Sequence, residues 1–300
     1  MKFIESSVEE IKHPHPLAKI ELIGRTCYKS ESYITSESAY KFVSNLVNHN
    51  HLAMLEHAYF TFVIPYDYIT DEVSHEIMLN NFMNISYDSS LNLMFISTNL
   101  RVLIENDGNI VNIMRDALYR HYPEVIKVIL PDYTPSSGII GNLVLLQDLA
   151  IANIDKSKHS FRTFKFITDR GVSHELVRHR VASFAQESTR YCNYQKDKFG
   201  NEITFIKPST WHEMSSFARI RLKESLKYSE RAYMALIDNG LKPQQARAVL
   251  PNALKTEIIV TTSEAEWHHI ADLRLRGTTG APHPDIKELM QKLQMLFPEI

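Results

Sequence analysis

The sequence predicts an α+β fold: a small mixed β-sheet packed with long helices. Three observations predict it. Runs rich in β-branched and aromatic residues stand near 58, 161 and 254. Apolar positions recurring at i, i+3, i+4 and i+7 mark helices between and after them. Of 300 residues, 44% are hydrophobic and 23% charged, the balance of a globular protein. A single domain over 1–300, with an elaborated or inserted region at about 105–158, accounts for the length.

In chain order, residues 1–34 give little beyond an early strand. Ser36 is placed to cap a helix whose inward stripe is Ala39, Phe42, Val43, Leu46 and Val47, stopped at Asn48-His49-Asn50. Residues 58–64 read as a buried strand, and Ile96 to Arg101 as a turn into a helix. The 105–158 region has mixed charge, Pro131 and a turn-like stretch at 134–138, and reads as short helices. Residues 161–168 form a strand with Phe164 and Phe166 on one face. Asp169-Arg170-Gly171 then turns the chain, and Ser173 is placed to cap a helix reaching about Arg178. Residues 183–191 favour an extended path. Thr210 with Glu213 makes a capping box for a long helix that stops at Asn239-Gly240. Lys242-Pro243 opens a short helix, and 254–262 alternate as a strand. Ser263 with Glu266 caps a helix placing Trp267, Ile270, Ala271 and Arg274 on one face. Asp285 opens a last helix with Ile286, Leu289, Met290, Leu293, Leu296 and Phe297 inward.

The formal net charge of -2 gives no protein-wide basic field, which argues against nucleic acid or an acidic membrane as partner. Two cysteines, Cys27 and Cys192, are too few for a disulfide framework and fit a reducing cytoplasm. The opening residues carry acidic groups and no long apolar core, unlike a secretory signal. The most apolar window, 138–154, is broken by polar residues and is no membrane span.

The chemistry concentrates at Arg178-His179-Arg180, with Ser188 after seven residues and Arg190 beyond it. Leu176, Val177, Val181 and Phe184 flank these cations, so they lie against an apolar wall and need anionic partners. Internal ion pairs are one answer. A phosphate-bearing ligand is the other, because guanidinium forks match phosphate oxygens bidentately. His49, His51 and His57 with Glu56 invite a metal, but their spacing matches no familiar ligand set. His174-Glu175 with His179 misses the zinc-protease helix motif, since its histidines are five apart rather than four. No base stands beside Ser188 in sequence to make it a nucleophile. Cys192 reads as a small buried hydrophobe, with nucleophile as its rival role.

The pattern Arg-His-Arg, seven residues, Ser resembles the signature of the flavin-dependent thymidylate synthases. The stretch from His51 through Phe62 is similar to that family's His-x-Ser-x-x-Glu-His before a Phe-Thr-Phe strand. Asn99-Leu100-Arg101, Ala246-Arg247 before Val249-Leu250-Pro251, and Trp267-x-His269 with Leu273-Arg274 follow in the family's order. The resemblance implies FAD, methylation of dUMP, methylenetetrahydrofolate and NADPH as co-substrates, and a homotetramer with shared sites. It assigns Glu175, Arg178, Gln186, Glu187, Ser188, Arg190, Arg247 and Arg274 to the substrate, with Arg274 as the catalytic group. It assigns His51, Arg178, His179, Arg180, Gln186, Ser263 and His269 to the flavin. Ala53 stands where the family commonly has a hydroxyl residue, Ser263 where asparagine is frequent, and Ala265 where arginine is frequent. Two other classes compete: a nucleotide- or RNA-binding module using the same cations, and a metal-dependent hydrolase built on His49–His57.

Overall fold

The computed structural model describes residues 1–135, 144–145, 153–196 and 199–300. Two short strands, β1 (Lys2–Ile4) and β2 (Ser7–Glu10), precede α1 (Pro16–Tyr28), a helix the sequence reading did not separate from its mixed surroundings. Pro16 suits its first turn, where no N–H is needed. Next comes α2 (Ser38–Asn48), which starts one residue later than the Ser36 cap implies, with Glu37 at the cap position. Ser38 Oγ instead accepts from Thr35 N and donates to the buried Glu21, tying α2 to α1.

A 3-10 turn over Leu52–His57 leads into β3 (Tyr59–Pro65), then α3 (Asp71–Met78), β4 (Asn84–Asp88) and β5 (Leu93–Asn99). Here the expectation of a turn at Ile96 is corrected: Ile96 to Asn99 complete β5, because Phe95, Ile96 and Ser97 are buried in register against β3. Helix α4 (Val102–Glu105) is the helix expected after Arg101, and α5 (Asn109–His121) and α6 (Pro123–Ile129) are helices within residues 105–158, where short helices were expected. Strand β6 (Val144–Leu145) pairs with β3. The expected turn at 134–138 and apolar window at 138–154 lie largely outside the described residues.

The second half carries β7 (Phe161–Asp169), α7 (Arg170–Leu176), β8 (Ser183–Gln186) and β9 (Thr204–Ile206). Then follow α8 (Ser216–Asp238), α9 (Pro243–Ala246), β10 (Lys255–Ser263), α10 (Glu264–Ala271) and α11 (Pro284–Leu296). Three caps differ from expectation. Asp169, not Ser173, caps α7 by accepting from Val172 N at 2.9 Å, and Ser173 sits one turn inside. Ser215, not Thr210, caps α8, because Ser209 to His212 are taken up in a 3-10 turn. Ser263 does cap α10, yet the Glu266 carboxylate makes no return bond and leaves one buried oxygen unpartnered.

The fold class is α+β, but the strands near 58, 161 and 254 do not share one sheet. β3 lies in an antiparallel sheet ordered β4-β5-β3-β6, whereas β7 and β10 lie in a second, ordered β2-β7-β10-β8. Parallel pairing occurs between β1 and β9. The division follows from β3 finding β5, a strand that polar Ser97, Thr98 and Asn99 disguised. In the second sheet Phe164, Phe166, Ile258 and Val260 face α7, α10 and α11, and Ala185 and Ile259 face α1. Burying each such aromatic or branched side chain contributes about 1.5–3 kcal/mol. Among the described residues no helix is long and apolar enough to cross a membrane.

Two histidines are locked into the sheets. His57 Nδ1 meets Thr261 Oγ1 at 2.7 Å, and burial with nearby Lys19 depresses its pKa to about 3. His159 meets Ser97 Oγ and Ser86 Oγ, both at 2.8 Å, and burial depresses it to about 4. Unfolded, both imidazoles protonate near 6.5, so between these values the unfolded chain binds more protons. Their contribution to stability is therefore complete above pH 6.5 and is lost as pH falls. Thermal melts from pH 7 to 4.5 are expected to show stability dropping by about 1.4 kcal/mol per pH unit for each histidine. His159→Asn is expected to flatten that slope.

Candidate active site

Helix α7 brings up Glu175, and the chain leaves it through a tight turn in which Arg178 N and His179 N donate to the carbonyls of Glu175 and Leu176. The Arg180–Val181 peptide is cis. Thr262 Oγ1 donates to Val181 O at 2.6 Å, anchoring this turn to β10. Arg274 arrives from the other direction, on a π-helical turn over Asp272–Arg276 that continues α10. Gly277 ends that turn at φ 71; a Cβ there would lie 2.9 Å from Gly280 O, so the reversal requires glycine.

These two segments meet. Arg274 Nη1 donates to Glu175 Oε2 at 3.0 Å, and Arg274 Nε donates to His179 Nε2 at 3.1 Å. Accepting at Nε2 obliges the imidazole to be neutral with its proton on Nδ1. Electrostatics agree: burial first, then the charges of Arg274 and His269, lower the His179 pKa to about 4. The ring is 5% exposed. Its sequence neighbours Arg178 and Arg180 are exposed, and neither guanidinium finds a carboxylate among the described residues.

β8 carries the next residues, alternating between faces. Gln186 turns toward α7, donating from Nε2 to Ser173 Oγ at 2.9 Å and to Thr256 Oγ1 at 3.1 Å. Ser173 and Thr256 were missed as supports; Thr256 was legible only as one member of an alternating strand. Glu187 turns to the opposite face, buried, where it accepts from Lys255 Nζ at 2.8 Å and Tyr194 OH at 3.4 Å. That ion pair gives Glu187 a structural task on this chain, away from the Gln186 face.

Past β8, Ser188 N donates to Cys27 O, and Arg190 N donates to Ser188 Oγ at 3.3 Å. Arg190 lies over the Tyr191 ring, 5.6 Å from its centre, and is exposed. Arg247 Nη1 reaches Thr189 Oγ1 at 3.3 Å and is exposed. Arg190 and Arg247, like Arg178 and Arg180, have no carboxylate partner among the described residues. Ser188 and Arg190 with Arg247 thus form a second group, which no hydrogen bond or ion pair joins to Arg274 among the described residues. His51 and His269 are exposed, while Ser263 is buried under α10. Cys192 is wholly buried in the apolar cluster of Tyr194, Phe205 and Tyr233, which suits the hydrophobe reading. His49 binds Asn45 O and His57 faces the sheet, so the sequence cluster is dispersed; among the described residues no three metal-ligating groups converge.

A family model described as thymidylate synthase complementing protein matches residues 10–90 and 157–300. A flavin-dependent thymidylate synthase of Geobacter sulfurreducens is 38% identical over 105 residues, covering 35% of this chain and 43% of that protein. One from Sulfurisphaera tokodaii is 33% identical over 119 residues, covering 39% of this chain and 44% of its own. The chain thus spans less than half the length of these relatives. A solved UMP/dUMP methylase PolB from Streptomyces cacaoi aligns over 100% of this chain and 93% of its own, at TM-score 0.43 and 12% identity, too loose a likeness to bear on the site.

The geometry around His179 makes a direct prediction. Proton NMR titration is expected to show its ring neutral from pH 8 down to 5. In Arg274→Ala, removal of a neighbouring positive charge is expected to raise that pKa toward 6.5. An unchanged titration would mean Arg274 does not set the imidazole's state.

Proposed function

Because the chain belongs to the thymidylate synthase complementing protein family, we propose that it methylates dUMP to dTMP as a flavin-dependent enzyme, taking carbon from methylenetetrahydrofolate and reducing power from NADPH. One observation carries the reading. Arg178, Arg180, Arg190 and Arg247 are exposed guanidinium groups with no carboxylate partner among the described residues, whereas Arg274 is held by two partners, Glu175 and His179. Exposed cations without carboxylates are ready for the phosphates of a nucleotide and a dinucleotide. A cation already fixed in place is ready for charge that develops during reaction.

The residues fit FAD. Arg178 and Arg180 would take its pyrophosphate, with His51, His179, Gln186 and His269 as further contacts. Ser263 would enter by capping the helix that presents His269. Bound there, flavin supplies the hydride chemistry. The protein's own part is binding and charge. Arg190 and Arg247 hold the dUMP phosphate, and Ser188 Oγ and Gln186 add hydrogen bonds. Arg274 stays protonated at any working pH. It therefore would stabilise the pyrimidine anion formed when the N3 proton passes to solvent, which makes ring carbon C5, the position methylated, more nucleophilic. Glu175 and the neutral His179 orient that guanidinium. Glu187 contributes by fixing the strand end beside Ser188.

That no hydrogen bond or ion pair joins Arg190 and Arg247 to the Arg274 group among the described residues supports a shared site in a homotetramer, with copies completing one another. The gap in the family match, 91–156, supports an elaborated region at about 105–158 within a single domain. Two buried cysteines that share no disulfide support a cytoplasmic protein.

The test is dUMP-dependent oxidation of NADPH by the flavin-loaded protein. Arg274→Ala is expected to lower kcat by about 10²–10³ with the flavin spectrum unchanged. Arg190→Ala is expected to raise the KM for dUMP by about tenfold or more and spare kcat. A colourless protein that takes up no added flavin would overturn the reading.

A further inference from the structure

A cavity of about 510 Å³ opens where α1, the stretch from Ile34 into α2 and the first turn of α6 meet. That volume lies in the range of small-molecule sites. Much of its wall is apolar: Leu17, Ala18 and Leu22 of α1 line it together with Ile34 and Tyr40. Ile34 and Tyr40 remain 39% and 51% exposed, so the chain leaves large apolar side chains uncovered there. Glu21, Glu37 and Glu124 also line the cavity, and among the described residues no lysine or arginine does. These carboxylates are not equivalent. Glu21 is buried and satisfied, accepting from Arg25 Nε at 2.7 Å and from Ser38 Oγ at 2.8 Å. Glu124 Oε1 meets His15 Nε2 at 3.2 Å, which leaves its other oxygen open among the described residues. The Glu37 carboxylate makes no hydrogen bond or ion pair among the described residues, and neither does the Tyr40 hydroxyl.

An anion would meet uncompensated carboxylates. A bare metal ion would find no three ligating groups converging among the described residues, and would leave the apolar wall unused. A neutral apolar molecule would strip water from Glu37 and Glu124 without replacing it. A flexible aliphatic chain with an ammonium at each end satisfies the carboxylates and the apolar wall together. We propose that this cavity is a binding site for an aliphatic di- or polyamine. One ammonium pairs with Glu37 and lies against the Tyr40 ring, the other pairs with the open oxygen of Glu124, and the methylene spacer covers Leu17, Leu22 and Ile34. The inference goes beyond the reaction above and uses none of the residues assigned to it.

Calorimetric titration of the full chain with 1,4-diaminobutane, spermidine and butylamine tests it. The diamine and spermidine are expected to bind saturably and about fivefold or more tighter than butylamine, which carries a single ammonium. Spermidine tighter than diaminobutane assigns the site to the longer polyamines, and the converse assigns it to the short diamine. Glu37→Gln and Tyr40→Ala, both at exposed positions, are expected to weaken binding about threefold or more and leave dUMP turnover unchanged. Absence of saturable binding by both polyamines, equal affinity for butylamine, or unchanged binding in both variants would overturn the proposal. Full displacement by an equal concentration of magnesium would overturn it as well, because a diffuse charge effect would then account for the binding. The titration reads out whether or not the protein takes up flavin, so the two readings can fail separately.

Discussion

The antiparallel pairing of β8 with β10, Gln186 opposite Ile258 and Ser183 opposite Thr261, is the constraint on which the site depends. Side chains alternate across a strand, so this register decides which residue of 183–187 faces which helix. It sends Gln186 to the α7 face, against Ser173 and Thr256, and Ala185 with Glu187 to the α1 face. A slip of one residue would exchange them: a carboxylate would enter the arginine side and an amide would strand Lys255. The hydrogen bond from Thr262 to Val181 O extends the same alignment into the turn that carries Arg178 to Arg180.

Charge is sorted along that strand in the same way. On the α1 face, Lys29 and Lys255 both bind Glu257, and Lys255 also binds Glu187. Burial pushes the Glu257 carboxyl up, but the two ammonium groups hold it below its ordinary value. This is a closed network whose charges answer one another. On the α7 face the balance is open. Arg274 has Glu175, while Arg178 and Arg180 have no carboxylate among the described residues. His179 adds no charge, because burial and the cations around it keep the ring neutral. The guanidinium groups of Arg178, Arg180 and Arg274 keep their charge at any working pH.

The stretch absent from the family match is built into the fold. Ile110, Met114, Leu118, Val125, Ile126 and Ile129 of α5 and α6 share one core with Val43 and Leu46 of α2 and Phe62 and Ile64 of β3. Removing those helices would expose the apolar faces of α2 and β3, residues that the family match does include. A segment that supplies core packing acts on the stability of the elements it covers, unlike a surface loop, which tolerates change at little cost.

Much was legible from residues alone, and the reason is locality. The α11 stripe (except Leu296, which is 43% exposed at the helix end), the stop at Asn239-Gly240, the Ser263 cap and the Phe164/Phe166 face depend on neighbours within a few positions, so periodicity and capping chemistry reveal them. The Arg178-His179-Arg180 and Ser188 pattern was likewise visible as a concentration of fixed charge, whereas Arg274 stands past the end of α10 on a π-helical turn, where the regular helical face read from the sequence no longer applies. What the tertiary structure decided was pairing: that β3 joins β5 rather than β7, that Asp169 reaches Val172 before Ser173 can act as a cap, and that Glu187 belongs to Lys255. It also decided that Arg274 meets Glu175 and His179 across nearly a hundred residues of chain. Those choices rest on register and on which buried charge finds a partner. Both are set by contacts between segments remote in sequence, which no local window contains.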